Sequence, residues 1–289
     1  MKGSAIGVVV HPRRDSREHM GCVVRWADGH GMEVRTLVEA RDLVPDGVRT
    51  VPEHELAVDA GLVIGLGGDG TILRALKLAT AEDVPVLGVN LGRLAFLAEV
   101  NLDELAMALD RIDRGEHWLE ERAVMTVSGT CFPMRISSFN DSALTRIPGN
   151  GPAALAVEVE GEIFARYTAD ALVIATPTGS TAYSFAAGGP IVSPRHRGLL
   201  VTPVAPHAAF DRAVFLHPEE RLRVHVLERS APLLLEADGQ RVAELTDGDC
   251  IEFSLADHPA RILRLHAQGF YERARKKLQI TDSSELAPR

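Results

Sequence analysis

Residues 61–71 read Gly61-Leu62-Val63-Ile64-Gly65-Leu66-Gly67-Gly68-Asp69-Gly70-Thr71, and this stretch decides the fold. A short apolar run ends in three glycines around one aspartate. An apolar helical pattern follows at once, with Ile72, Leu73, Leu76 and Ala79 on one face of a helix predicted over 72–79. This is the pattern of a buried parallel strand delivering a tight loop to the mouth of a helix. Two needs account for such glycines: backbone angles closed to other residues, and close approach of a ligand to bare peptide groups. Unpaired N–H groups and the positive dipole end make a helix N-terminus attractive to phosphate. Asp69 is the odd member, because a carboxylate at an anion site is electrostatically wrong unless it binds a metal or takes a proton.

Working outward, residues 5–10 (Ala-Ile-Gly-Val-Val-Val) form a continuous apolar strand, too short for a signal-peptide core. A weakly amphipathic crossover helix is expected over 16–29 and a second strand over 32–37. Residues 84–89 are another buried strand, and Asn101 caps a helix expected over 102–114. Alternating strands and helices predict a Rossmann-like doubly wound half. After Trp118 the texture changes to short strands at 124–129, 134–144, 155–164, 171–175, 199–204, 221–227, 232–237, 240–245, 249–255 and 261–266, punctuated by Gly, Pro and Asp. The fold class is therefore an α/β N-terminal domain (1–119) followed by a mostly β domain (120–268). A last helix near 270–278 and a polar tail (269–289) are expected to pack back on the first domain.

Composition narrows the function. At 289 residues the chain is long enough for about two domains. With 31 Lys+Arg against 40 Asp+Glu and no basic run interleaved with aromatics, it is not expected to bind nucleic acid. Arg273, Arg275, Lys276 and Lys277 cluster near the C-terminus and read as a solvated helix face. Three cysteines, far apart and in no C-x-x-C pair, argue against a disulfide framework or zinc site and fit a reducing cytoplasm. No window approaches a membrane span.

A second motif, Thr-Pro-Thr-Gly-Ser-Thr-Ala-Tyr-Ser-Phe-Ala-Ala-Gly-Gly-Pro at 176–190, follows an apolar strand and holds four hydroxyls, Thr176, Thr178, Ser180 and Thr181. These can bond a sugar, a base edge or a phosphate, or serve as helix caps, and Tyr183 can stack on a base. Asn140-Asp141 pairs an amide with a carboxylate, suited to a nucleoside or to an ordinary turn. Asp170 precedes the strand feeding the hydroxyl-rich loop, and Asp238-Gly239 is a tight-turn dipeptide; each alone is more simply structural. H-E-x-x-H, G-x-S-x-G and Walker G-x-x-x-x-G-K-[ST] are absent, and the eleven histidines show no metal-ligand spacing.

The two loops together resemble the NAD kinase family, whose hallmarks are a G-G-D-G-T loop and a T-P-T-G-S-T-A-Y segment ending G-G-P, here at 67–71 and 176–190. Lesser similarities run along the chain: 90–94 (Asn-Leu-Gly-Arg-Leu), Arg122 with Met125-Thr126, 202–207, Asp238-Gly239-Gln240 and the closing helix, 269–278. The resemblance implies a kinase moving the terminal phosphate of ATP (or polyphosphate) to the adenosine-ribose 2′-hydroxyl of NAD, giving NADP. It implies that Asp69 is catalytic, as a base or as holder of the metal–phosphate array, and that Gly67, Gly68, Gly70 and Thr71 cradle phosphates. By the same resemblance Asn140, Asp141, Asp170, Thr178, Thr181, Ala182, Tyr183 and Ala186 bind the acceptor. Mg²⁺ is implied with the phosphates rather than on a protein cluster, and a homodimer or homotetramer is expected.

Three departures stand at or near the acceptor residues. The family's Asn-Glu is Asn140-Asp141, its G-D-G is Ala169-Asp170-Ala171, and its L-G-F-L is Leu94-Ala95-Phe96-Leu97. Two alternatives therefore stand beside an NAD kinase. One is a related kinase acting on another hydroxyl, such as a nucleoside or small metabolite. The other is a non-catalytic nucleotide-binding regulator, which the intact Asp69 opposes.

Overall fold

The apolar runs of the N-terminal half become the strands of one sheet. In the computed structural model, which describes residues 3–92, 95–266 and 269–281, they are β1 (Ala5–Val10), β2 (Glu33–Leu37), β3 (Arg49–Val51), β4 (Ala60–Gly67), β5 (Val86–Asn90), β6 (Val100–Asn101) and β7 (Trp118–Arg122). β3, β2, β1, β4 and β5 lie side by side in that order and pair in parallel. The order reverses between β1 and β4, so the crevice outside their carboxyl ends is the switch point where doubly wound sheets bind ligands. Helices α1 (Arg17–Gly29) and α3 (Leu105–Asp113) bury Met20, Val23, Leu105, Leu109 and Ile112 against Ile6, Val8, Leu62, Ile64 and Leu87. Helix α2 (Asp69–Thr80) packs on β4 and β5 where the sheet carries Gly65 and Gly88: a Cβ on either would touch Ile72.

The chain divides into two units, Met1–Glu121 with Ala260–Arg289, and Arg122–Pro259. Residues 261–266, grouped by sequence with the β layer, differ in placement. The strand Ala260–Arg264 joins the first sheet, with Ile262 opposite Val86 in parallel register. Its physical signature is burial of Ile262, Leu263 and Arg264 alike, as in a strand covered on both faces, where period-2 alternation is lost. Helix Phe270–Lys277 belongs to the same unit.

The second unit is antiparallel throughout, with helix content limited to the short α4 (Tyr183–Ala186) and a 3-10 turn before it. One six-stranded sheet contains β10 (Asp141–Arg146), β13 (Ala171–Ala175), β14 (Leu199–Val204), β15 (Val214–Leu216), β17 (Leu233–Ala237) and β18 (Gln240–Leu245); the other contains β8 (Met125–Gly129), β9 (Phe132–Ser138), β11 (Ala153–Val159), β12 (Glu162–Ala169), β16 (Leu222–Val226) and β19 (Cys250–Leu255). Alternate residues of both sheets, among them Leu155, Val157, Val224, Leu144, Leu172 and Leu235, share one core. Two predicted strands are each split in two. Residues 155–164 contain a two-residue hairpin at Glu160-Gly161, with φ of 51° and 85°, and 134–144 break at Phe139-Asn140. Glu160 is not a residue that signals positive φ, so the turn was hidden.

Candidate functional site

β4 delivers Gly67 and Gly68 to the start of α2, whose first residue is Asp69. Gly67, Gly68 and Gly70 all lie outside the positive-φ region, so backbone strain does not explain them. Their reason is space. A Cβ on Gly67 would collide with Thr71 Oγ1, whereas one on Gly68 or Gly70 would meet nothing within 4 Å. The latter two leave open room above the backbone, which is what a bulky anion requires. Thr71 is buried, and the amides of Thr71 and Ile72 bond back to the Gly68 carbonyl at 3.0 and 3.1 Å. The first-turn amides before them have no acceptor inside the helix.

Asp69 is held from three directions. Oδ1 accepts the Leu97 N–H at 2.9 Å, Oδ2 accepts the Phe96 N–H at 3.2 Å, and Oδ2 also takes the Lys277 ammonium. Lys277 Nζ lies 4.4 Å from the Phe96 ring centre. The loop carrying those amides is fixed in turn. The Glu99 N–H bonds the Gly88 carbonyl at 2.8 Å, and fully buried Arg264 reaches Leu97 O at 3.1 Å, Glu99 Oε2 at 3.0 Å and Glu120 Oε2 at 2.5 Å. Glu99 Oε1 accepts the amides of Leu265 and His266.

Sequence reasoning passed over this support. Lys277 and Arg273 were placed on a solvated face, yet Arg273 is buried and Lys277 reaches Asp69, a correction of that reading. The signal was present: Phe270, Arg273, Ala274 and Lys277 follow i, i+3, i+4, i+7, the stripe that faces a core. Arg93 and Leu94, parts of two lesser motifs, lie outside the described residues, as does the tail beyond residue 281.

In the second unit, Asp238-Gly239 makes the two-residue hairpin between β17 and β18, with φ of 48° and 73°. It is more than a turn. The Asp238 carboxylate accepts Ser138 Oγ–H at 3.1 Å, the Phe139 N–H at 2.9 Å and the Asn140 N–H at 2.7 Å, shaping the segment that presents Asn140 and Asp141. The Asn140 carbonyl accepts the Thr176 N–H at 2.9 Å, and a Cβ on Gly179 would collide with that same carbonyl. The 138–141 and 176–181 segments are therefore locked together. The Asn140 side-chain amide has no protein partner among the described residues.

Asp141 is buried, and burial, then the Asp238 charge, raises its pKa to about 6 against the lowering effect of the Tyr183 N–H. Of the four loop hydroxyls, Thr176 and Ser180 are consumed internally: Thr176 Oγ1 donates to Phe139 O, and Ser180 Oγ to Pro177 O. Thr178 Oγ1 accepts Arg122 at 3.3 Å, and Thr181 Oγ1 lies 3.4 Å from Thr178 O. Tyr183, with Ala182 before it and Ala186 at the end of α4, stays part-exposed. Asp170 is engaged by Arg146 Nε at 2.5 Å. Ala169 and Ala171 beside it are not among the positive-φ residues, so alanine is compatible with the backbone where the family carries glycine.

Among the described residues no three His, Cys, Asp or Glu side chains gather as a metal cage, and no helix is long and apolar enough to cross a membrane. An anion-seeking helix start with one clamped carboxylate, at the switch point of a doubly wound sheet, defines a phosphoryl-transfer protein. Residues 6–117 match the ATP-NAD kinase N-terminal domain and 139–265 the ATP-NAD kinase C-terminal domain. NAD kinase 1 of Streptomyces avermitilis is 34% identical over 98% of this chain and 89% of its own length, and NAD kinase of Moorella thermoacetica is 38% identical over 85% and 80%. Among solved structures, yeast NADH kinase complexed with NADH shares the fold with a TM-score of 0.87 at 24% identity, covering all of this chain and 91% of that one. An NAD kinase from Archaeoglobus fulgidus in complex with ATP gives 0.74 at 23%, covering 95% and 98%. The chain belongs to the ATP-NAD kinase family, phosphotransferases with an alcohol group as acceptor.

Proposed function

We propose that this chain transfers the terminal phosphate of ATP to the adenosine-ribose 2′-hydroxyl of NAD, giving NADP and ADP. The observation that carries the reading is Asp69, a carboxylate fixed by two amides at the start of α2 beside the open space over Gly68 and Gly70. The donor phosphates lie over that space, on the first-turn amides. Asp69 takes the hydroxyl proton as the ribose O–P bond forms; the bridging P–O bond of ATP breaks and ADP leaves with the electron pair. No protein cage gathers among the described residues, so a Mg²⁺ ion would be carried by the donor phosphates. It would supply charge neutralisation there.

Acceptor recognition falls to the second unit. The unpartnered Asn140 amide reads the adenosine, Tyr183 offers a stacking face, and Thr178, Thr181, Ala182 and Ala186 line the nucleoside position. Asp141 holds a ribose hydroxyl, and Asp170, braced by Arg146, meets the nicotinamide end. The reading includes a homodimer or homotetramer. Phe164 on edge strand β12 and Phe210 are both exposed and pack edge-to-face at 5.8 Å, an apolar pair that assembly would cover. It also includes a reducing cytoplasm, consistent with three unpaired thiols.

The test offers the purified protein ATP and Mg²⁺ with NAD, NADH and a panel of nucleosides and small hydroxyl compounds, and locates the new phosphate. NADP, phosphorylated at the adenosine-ribose 2′ position, is the expected product. Phosphorylation of another acceptor with no NADP would overturn the reading.

A further inference from the structure

We infer that Lys277 is the positioning and charge-compensating residue of Asp69, and that it leaves Oδ1 as the oxygen that takes the acceptor proton. This rests on the proposed role of Asp69. An ionised carboxylate has about four acceptor positions, two on each oxygen. Among the described residues, Oδ2 is filled by the Phe96 N–H and the Lys277 ammonium, whereas Oδ1 carries only the Leu97 N–H. One position therefore remains, on Oδ1.

Lys277 stands where three attractions for a cation coincide. It is the last residue of helix Phe270–Lys277, at the negative end of the dipole; it lies over the Phe96 ring; and it meets Asp69. Their side chains are 31% and 25% exposed, so water screens the pair only in part. Lys277 also answers the electrostatic puzzle of the loop. A polyanionic donor approaching Asp69 meets a carboxylate already neutralised by an ammonium, and the repulsion that the bare sequence implies is cancelled. The pair spans 208 positions in sequence, so the closing helix is built into the catalytic geometry.

The rival view is a mere staple for that helix, and kinetics separate the two. Lys277→Met should lower kcat about 10- to 100-fold, the scale of a misplaced catalytic group, with KM for NAD within about threefold and the melting temperature nearly unchanged. Lys277→Arg should recover part of kcat, and ethylamine added to Lys277→Ala should raise kcat in a saturable way. In an Asp69→Asn background, Lys277→Met should cost nothing further. Unchanged kcat in Lys277→Met would overturn the inference, as would a loss that follows the melting temperature and is rescued by neither arginine nor amine. Asp69→Asn alone tells the two failures apart: if it keeps wild-type kcat, the role of Asp69 falls and this inference with it. If it collapses while Lys277→Met does not, only the role of Lys277 falls.

Discussion

At Asp141, burial and then the neighbouring Asp238 charge raise the pKa to about 6. The folded protein therefore binds more proton than the unfolded chain between about pH 4 and 6, and stability falls as pH rises through that window. The shift of about two units corresponds to about 3 kcal/mol. Asp141→Asn keeps an acceptor for the Tyr183 N–H but removes the charge. Its melting temperature should match wild type near pH 4, rise above it as pH increases, and hold a constant lead beyond pH 6–7. Thermal melts of both proteins across that range check this; a gap independent of pH would contradict it. At this scale the sequence was informative about which residues matter and less so about why. The glycines of the 67–70 loop were expected to serve strained angles or ligand approach; none has positive φ, Gly67 makes room for Thr71, and Gly68 and Gly70 leave open space. Asp238 looked like a turn residue because a turn dipeptide explains itself locally. Its bonds to Ser138, Phe139 and Asn140 span about a hundred positions and leave no local mark.

Among the elements, the loop over 95–99 decides where Asp69 sits, and it rests on Gly88 in β5. A Cβ there would come within 2.9 Å of the Leu97 carbonyl and 3.0 Å of Ala98 Cα, both backbone atoms that cannot rotate away. Gly88→Ala should destabilise by about 1–3 kcal/mol and lower kcat as well, because Leu97 carries the amide on Oδ1; denaturant melts and initial rates on one preparation measure both. Arg264 anchors the other side of the loop. Arg264→Met should cost about 3–5 kcal/mol by leaving buried Glu99 without its cation, seen as a lowered denaturation midpoint. The apolar runs of β1 and β4, the striped α2 and even the weakly amphipathic α1 were readable from sequence to within a few residues. Strand Ala260–Arg264 was legible as a strand but not as a member of the first sheet. Partner choice in a buried parallel strand depends on residues far away in the chain, and its own run of Ala, Ile and Leu fits either layer.

For the molecule as a whole, the α/β unit contains the proposed phosphate loop, its carboxylate and that carboxylate's support, to which Arg264 and Lys277 near the C-terminus belong. The antiparallel unit contains the segments proposed to recognise the nucleoside, locked together through Asn140, Thr176 and Gly179. The two loops themselves were legible in sequence because glycine-rich and hydroxyl-rich loops have local signatures. The sequence did not carry Lys277, whose meaning exists only across 208 positions. The central claim, phosphoryl transfer with Asp69 as the group at the acceptor hydroxyl, is tested most directly by Asp69→Asn. The substitution keeps volume and one acceptor oxygen and removes the charge. Turnover of NAD with ATP and Mg²⁺, set beside calorimetric binding of each nucleotide, should show kcat down by about 10²–10⁴ with both affinities within a few-fold of wild type. A variant that still forms NADP at the wild-type rate would contradict the account.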